Sequence, residues 1–189
     1  MIPASETFKG TWPFKPHFTY AAGFRQHYVD EGPSEGEAIL CLHGEPTWGY
    51  LYRKMIGPLS EKFRVVVPDH MGFGKSETPQ DRVYTLQSHV ENLEQFVADL
   101  DLSDITIVCQ DWGGPIAGAF TARNPGLVKR LFLANTVLGY GGGQSAGGKT
   151  PWFQWIEKHE EAGTLNGILG ELGSTVLSVM KIIGFQNTA

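Results

Sequence analysis

The chain has 189 residues, enough for one domain with a buried core, and its 41% apolar and 19% charged residues are ordinary for a globular protein. Acidic residues outnumber basic ones 20 to 15, giving a net charge of −5 with no basic block, so nucleic acid and anionic membranes are excluded as expected partners. The opening Met1-Ile2-Pro3-Ala4-Ser5-Glu6 has no basic segment followed by an apolar run; no signal peptide is expected, and the protein is placed in the cytoplasm.

Phe24 to Val29 reads as a first strand, ended by the turn Asp30-Glu31-Gly32-Pro33. Ala38 to Leu42 is a second, fully buried strand, followed by a helix from Gly49 to Leu59 and a third strand from Arg64 to Pro68. Thr85 to Leu100 is amphipathic, with Leu86, Val90, Leu93, Val97 and Leu100 on one stripe of a helix. Ile105, Ile107 and Val108 mark a buried strand, Gly114 to Arg123 a helix that ends near Asn124-Pro125, and Leu131 to Leu138 the next strand. Alternation of this kind predicts a mainly parallel sheet covered by helices on both faces. Cys41 and Cys109 each lie in an apolar strand-like run and read as buried reduced thiols, although neighbouring strands would leave a disulfide open.

Six glycines fall between Gly139 and Gly148, the composition of a hinge. Beyond it the pattern is helical, from Pro151 to about Ala162 and from Leu165 to Ile183. The stretch Leu165 to Phe185 contains Glu171, Lys181 and four glycines, too polar and broken for a membrane span.

The chemistry concentrates in Ile105-Thr-Ile-Val-Cys-Gln-Asp111-Trp-Gly-Gly-Pro-Ile-Ala-Gly118. A strand that turns sharply into a helix holds one side chain out of the sheet, beside the positive end of the helix. Serine hydrolases place Ser there; here the residue is Asp111. An ionised carboxylate needs no base to become a nucleophile, so the expected reaction begins with attack on carbon. Two further segments end strands at the same rim. In His43-Gly44-Glu45 the backbone N–H near Glu45, with that of Trp112, makes the expected oxyanion site, and Asp69-His-Met-Gly-Phe-Gly-Lys-Ser76 makes a tight loop.

Together the strings His43-Gly-Glu-Pro-Thr-Trp-Gly-Tyr-Leu-Tyr-Arg53, Asp69-His-Met-Gly-Phe-Gly-Lys-Ser76 and Gln110-Asp-Trp-Gly-Gly114 resemble the haloalkane dehalogenases of the α/β-hydrolase superfamily, over about Phe24 to Leu138. The resemblance implies an α/β-hydrolase fold and a small halogenated alkane as substrate, with halide as product and neither organic cofactor nor metal. Asp111 would displace the halide and form an ester, and the indole N–H of Trp112 would hold the leaving anion. Glu45 would supply its backbone N–H, but its ionised side chain is no donor; the second halide donor is therefore expected from the helical cap, where Trp152 and Trp155 are the candidates.

The family hydrolyses its ester with a late histidine that an acid orients. Here the one histidine beyond Asp111 is His159, in a charged run that reads as solvated surface, and a position that holds the acid in some relatives is Asn135. The expectation is thus an N-terminal half: core over residues 1–138, hinge over 139–150 and the start of the cap over 151–189, with the C-terminal strands missing. Such a chain would be truncated, cleaved or split, its base carried by a complementary C-terminal chain. Alone it would expose an apolar edge at Leu131 to Leu138 and stall after one turnover.

Rival readings are weaker. An epoxide hydrolase would use the same Asp111 but needs cap tyrosines, and Tyr140 alone lies at or after the hinge. Gly143-Gln-Ser-Ala-Gly-Gly-Lys-Thr150 fits the literal P-loop pattern for nucleotide phosphates, yet it lies in a glycine-rich stretch with no later strand ending in a magnesium-binding aspartate. A dinucleotide fingerprint begun at Gly72-Phe-Gly74 fails at Glu77, and no Cys/His spacing suggests a metal.

Overall fold

The computed structural model describes residues 2–138, 151–165 and 167. Six strands form one sheet: β1 (His17–Thr19), β2 (Gln26–Glu31), β3 (Ala38–Leu42), β4 (Arg64–Pro68), β5 (Ile105–Gln110) and β6 (Val128–Ala134). Their order across the sheet is β1-β2-β4-β3-β5-β6. The three pairings among β3, β4, β5 and β6 are parallel, while β1 with β2 and β2 with β4 are antiparallel. Parallel strands buried on both faces need apolar residues at nearly every position, which Ala38-Ile-Leu-Cys-Leu42 and Val65-Val-Val67 supply.

The helices are α1 (Arg53–Ser60), entered through a 3₁₀ turn at Gly49–Tyr52, α2 (Leu86–Asp99), α3 (Gly113–Arg123) and α4 (Pro151–Glu161). Strand residues alternate between the two faces. Leu40, Leu42, Ile107 and Cys109 pack with Val90, Leu93, Phe96 and Val97 of α2 and with Ile116 and Phe120 of α3. On the other face Ile39, Cys41, Val67 and Val108 pack with Trp12, Tyr52 and Ile56. This parity settles the thiols. Cys41 lies opposite Val108 and Cys109 opposite Leu42, so adjacent strands send the two sulfurs to opposite faces, and both are free.

Several boundaries differ from the sequence expectation. The short β1 was not anticipated, and β2 begins at Gln26 because Phe24 turns instead into a small cluster with Ala22 and Met71. The predicted turn at Asp30-Glu31 is therefore still strand. The strand read as Leu131 to Leu138 runs instead from Val128 to Ala134, since Asn135 takes a positive φ of 47° that no strand continues through. Phe132 and Leu133 are exposed on β6, which pairs with β5 and lies at the edge of the sheet. In α2, Thr85 caps the first turn by accepting from the Ser88 N–H, and Phe96 rather than Leu86 joins the buried stripe.

The chain divides into two units, Met1–Tyr140 and Gly141–Ala189; α4 belongs to the second. The glycine-rich stretch, the P-loop-like string and the helix expected from Leu165 onward lie outside the described residues, Leu138, Leu165 and Gly167 apart. No helix among the described residues is long and apolar enough to cross a membrane.

Replacing Phe96 by Ala is expected to lower stability by about 3–5 kcal/mol, whereas Leu86→Ala, at the exposed first turn, should cost less than about 1 kcal/mol. Urea denaturation of the two variants checks the revised stripe.

Candidate active site

β5 ends at Gln110, and Asp111 takes a φ of +52° before α3 starts at Gly113. A non-glycine residue held there costs on the order of 1–3 kcal/mol, so its surroundings must fix it. They do so by contact. A Cβ on Gly44 would stand 2.4 Å from Asp111 Oδ1 and 2.5 Å from the Trp112 nitrogen; one on Gly114 would stand 1.9 Å from Thr136 Oγ1. The Thr136 hydroxyl also donates to the Asp111 carbonyl. Between these close approaches, the Glu45 N–H donates to Asp111 Oδ1 at 2.8 Å. Asp111 is half-buried, and no ion pair among the described residues involves it.

The neighbouring loops are tied by Asp69, which is fully buried at the end of β4. Its Oδ1 accepts from the Gly49 N–H at 2.8 Å, and its Oδ2 accepts from the Lys75 N–H at 2.8 Å and meets His27 Nδ1 at 2.9 Å. One carboxylate thus joins the His43 string to the 70–75 turn. His43 joins them again: its Nε2 accepts from the His70 N–H at 2.9 Å, which leaves its Nδ1 to donate to the Gly44 carbonyl at 3.0 Å. His70 in turn lies with Nε2 3.0 Å from the His43 carbonyl, so that nitrogen carries the proton.

These loops and α2 enclose a cavity of about 340 Å³, lined by Gly44, Glu45, His70, Phe73, Tyr84, Thr85, Leu86, His89, Trp112 and Ile116. Of the residues expected at the site, Asp111, Trp112 and Glu45 come together: Trp112, 37% exposed, and Glu45 line the cavity on either side of the Asp111 turn. Burial, and then the charge of Asp111, raise the Glu45 carboxyl above its ordinary value. Trp152 and Trp155 both fall in α4, in the other unit, where the Trp155 ring lies 4.5 Å from that of His159. His159 is half-buried and its Nδ1 lies 3.0 Å from Thr164 Oγ1, rather than being fully solvated. Asn135 is exposed. No group of three metal-ligating side chains occurs among the described residues.

The sequence reading gave no role to His70 or His89. His89 lies in α2, one turn after Leu86 and beside Val90, where its polarity breaks the apolar stripe. That break was the available signal. His70 directly follows a buried strand, as His43 does, and the parallel placement of β3 and β4 brings the two rings to 4.4 Å.

Residues 37–164 match the model of a family described as alpha/beta hydrolase fold. A haloalkane dehalogenase of Psychrobacter cryohalolentis is 39% identical over 175 residues, 87% of this chain and 58% of that protein. A cis-3-alkyl-4-alkyloxetan-2-one decarboxylase of Xanthomonas campestris is 42% identical over 123 residues, 61% of this chain and 41% of that one. Among solved structures, the tetrameric haloalkane dehalogenase of Paraglaciecola agarilytica aligns with a TM-score of 0.70 at 38% identity, covering 80% of this chain and 52% of its own. The chain spans about half the length of these relatives.

Burial lowers the basicity of His43 and His89, and that of His70 far below the ordinary value of 6.5, where the adjacent His43 and His89 add to the effect. Asp69, the Gly44 carbonyl and Asp111 pull His43 back only in part. The unfolded chain therefore binds more protons than the fold as pH drops through about 6.5, and stability must fall on acidification until the folded values are passed. Each fully buried ring adds a slope of up to about 1.4 kcal/mol per pH unit. Urea midpoints are expected to decline as the pH is lowered from 7.5 to 5.0.

Proposed function

Because this chain belongs to the alpha/beta hydrolase fold family, we propose that Asp111 is a nucleophile that displaces halide from a small halogenated alkane. One observation carries this reading: Asp111 is held at φ +52° with Oδ1 on the Glu45 N–H, its turn bordering a largely apolar cavity. Oδ2 is then the oxygen directed at carbon. As the C–O bond forms, the C–halogen bond breaks and the halide leaves with the bonding pair, received by the Trp112 indole N–H.

Water must then add to the ester carbonyl, with the N–H groups of Glu45 and Trp112 steadying the oxyanion. Collapse returns Asp111, and the net products are alcohol, halide and a proton. His43 does not serve as the base, since both of its ring nitrogens are engaged with backbone. We assign that step, and the acid that orients the base, to a segment beyond the described residues, in this chain or in a complementary one. Within the same reading, residues 151–189 begin a cap that follows a hinge over 139–150, and Trp152 or Trp155 of α4 gives the second halide donor. Free buried thiols at Cys41 and Cys109 are in keeping with a cytoplasmic enzyme.

A second reading has in its favour the 42% and 39% identity to two oxetanone decarboxylases. Asp111 would there open a strained four-membered lactone, with carbon dioxide rather than halide as the diagnostic product. The epoxide-hydrolase reading also has a solved relative in its favour, but it is no better supported, and the one tyrosine lining the cavity among the described residues, Tyr84, donates its hydroxyl to the Pro79 carbonyl at 2.9 Å.

Incubation with 1-bromobutane should release bromide and place a butyl group on Asp111, seen by peptide mass spectrometry and absent in Asp111→Asn. Bromide release without an adduct at Asp111, in single turnover, would show that the nucleophile is another residue. Gly44→Ala, whose Cβ meets the carboxylate, should slow alkylation about 100-fold. Trp112→Phe should weaken bromide inhibition of alkylation about tenfold; unchanged inhibition removes Trp112 from the halide site.

A further inference from the structure

The cavity beside Asp111 is not uniformly apolar. Besides Phe73, Leu86 and Ile116, two imidazoles line it, from His70 on the β4 loop and His89 on α2, with rings 5.7 Å apart and nearly perpendicular. Neither has a part in the displacement described above. Because His70 Nε2 carries its proton toward the His43 carbonyl, its Nδ1 is left as a bare acceptor. His89 Nδ1 is buried and has no hydrogen-bond partner. A purely apolar guest would shut the bare His70 Nδ1 away from water and leave it unpaired, a cost that a plain haloalkane cannot recover.

The chemistry of the pair narrows the guest. Both rings are neutral, because burial opposes their protonation, so they offer no charge to a carboxylate or phosphate. Asp111 and Glu45 further disfavour an anionic tail. A hydroxyl suits a site with one imidazole acceptor and one imidazole N–H, since it donates and accepts through a single oxygen.

We propose that His70 and His89 form a hydroxyl-binding subsite, and that the substrates are short halogenated alcohols rather than plain haloalkanes. The hydroxyl donates to His70 Nδ1 and accepts from the His89 ring, while the carbon bearing halogen faces Asp111. This inference rests on Asp111 as the displacing nucleophile, and its test separates the two.

Initial bromide release and Asp111 alkylation are compared for 4-bromo-1-butanol and 1-bromobutane. The alcohol is expected to react about tenfold faster, and His89→Phe to bring the two rates together. Equal rates on the unaltered protein would overturn the subsite and leave the nucleophile standing. In Asp111→Asn, which cannot be alkylated, 1-butanol should shift the imidazole nitrogen resonances of His70 and His89, with 1-bromobutane leaving them in place. That measurement does not depend on the displacement or on His89→Phe folding. If no alkylation occurs, the nucleophile is wrong, and the resonances alone decide the subsite: unmoved by 1-butanol, they refute it.

Discussion

Two backbone turns, at Gly44 and at Asp111, meet so closely that neither tolerates one additional carbon between them, and the site is organised by that approach. It aims the Glu45 N–H at Oδ1, one of the two carboxylate oxygens. The approach also explains why an aspartate can sit at a positive φ at all. Strain of this size persists only where neighbours over-determine the geometry, and here Gly44, Gly114 and the Thr136 hydroxyl each fix one side of the turn.

A second layer holds the turns in place. The Asp69 carboxylate is buried and takes three donors from three different parts of the chain, so the loop after β3, the loop after β4 and strand β2 are set relative to one another. A buried carboxylate is tolerable only when its lone pairs are satisfied in this way. His43 repeats the linkage with backbone groups and is thereby confined to one neutral tautomer. The rim is therefore a polar network laid over an apolar sheet.

The central elements were legible because their causes are local. An unbroken apolar run such as Ala38 to Leu42 can hardly be anything but a buried strand, and the change from β-branched residues to small ones at Asp111 marks the strand-to-helix turn. What escaped was decided by partners distant in sequence. The end of β6 depends on Asn135 turning the chain toward α3, and the separation of the two thiols depends on the parity of strand pairing. His89 was hidden because a helix wheel shows which residues share a stripe but not that this stripe also walls a cavity. The family resemblance pointed to Asp111, Trp112 and Glu45, which lie together; Trp152 and Trp155 fall in a separate unit.

Lys75 binds the amino-terminal stretch into this rim. Its side chain is 1% exposed, and its ammonium donates to the carbonyls of Ala4 and Glu6, both at 2.8 Å, while the Ile2 N–H donates to Gly74. An amine so enclosed keeps its proton less readily than one in water, as burial pulls its basicity down. The first half-dozen residues are consequently a strap over the loop that carries His70. Trimming them would take from the Lys75 ammonium both carbonyls that it meets and slacken the loop that walls the cavity.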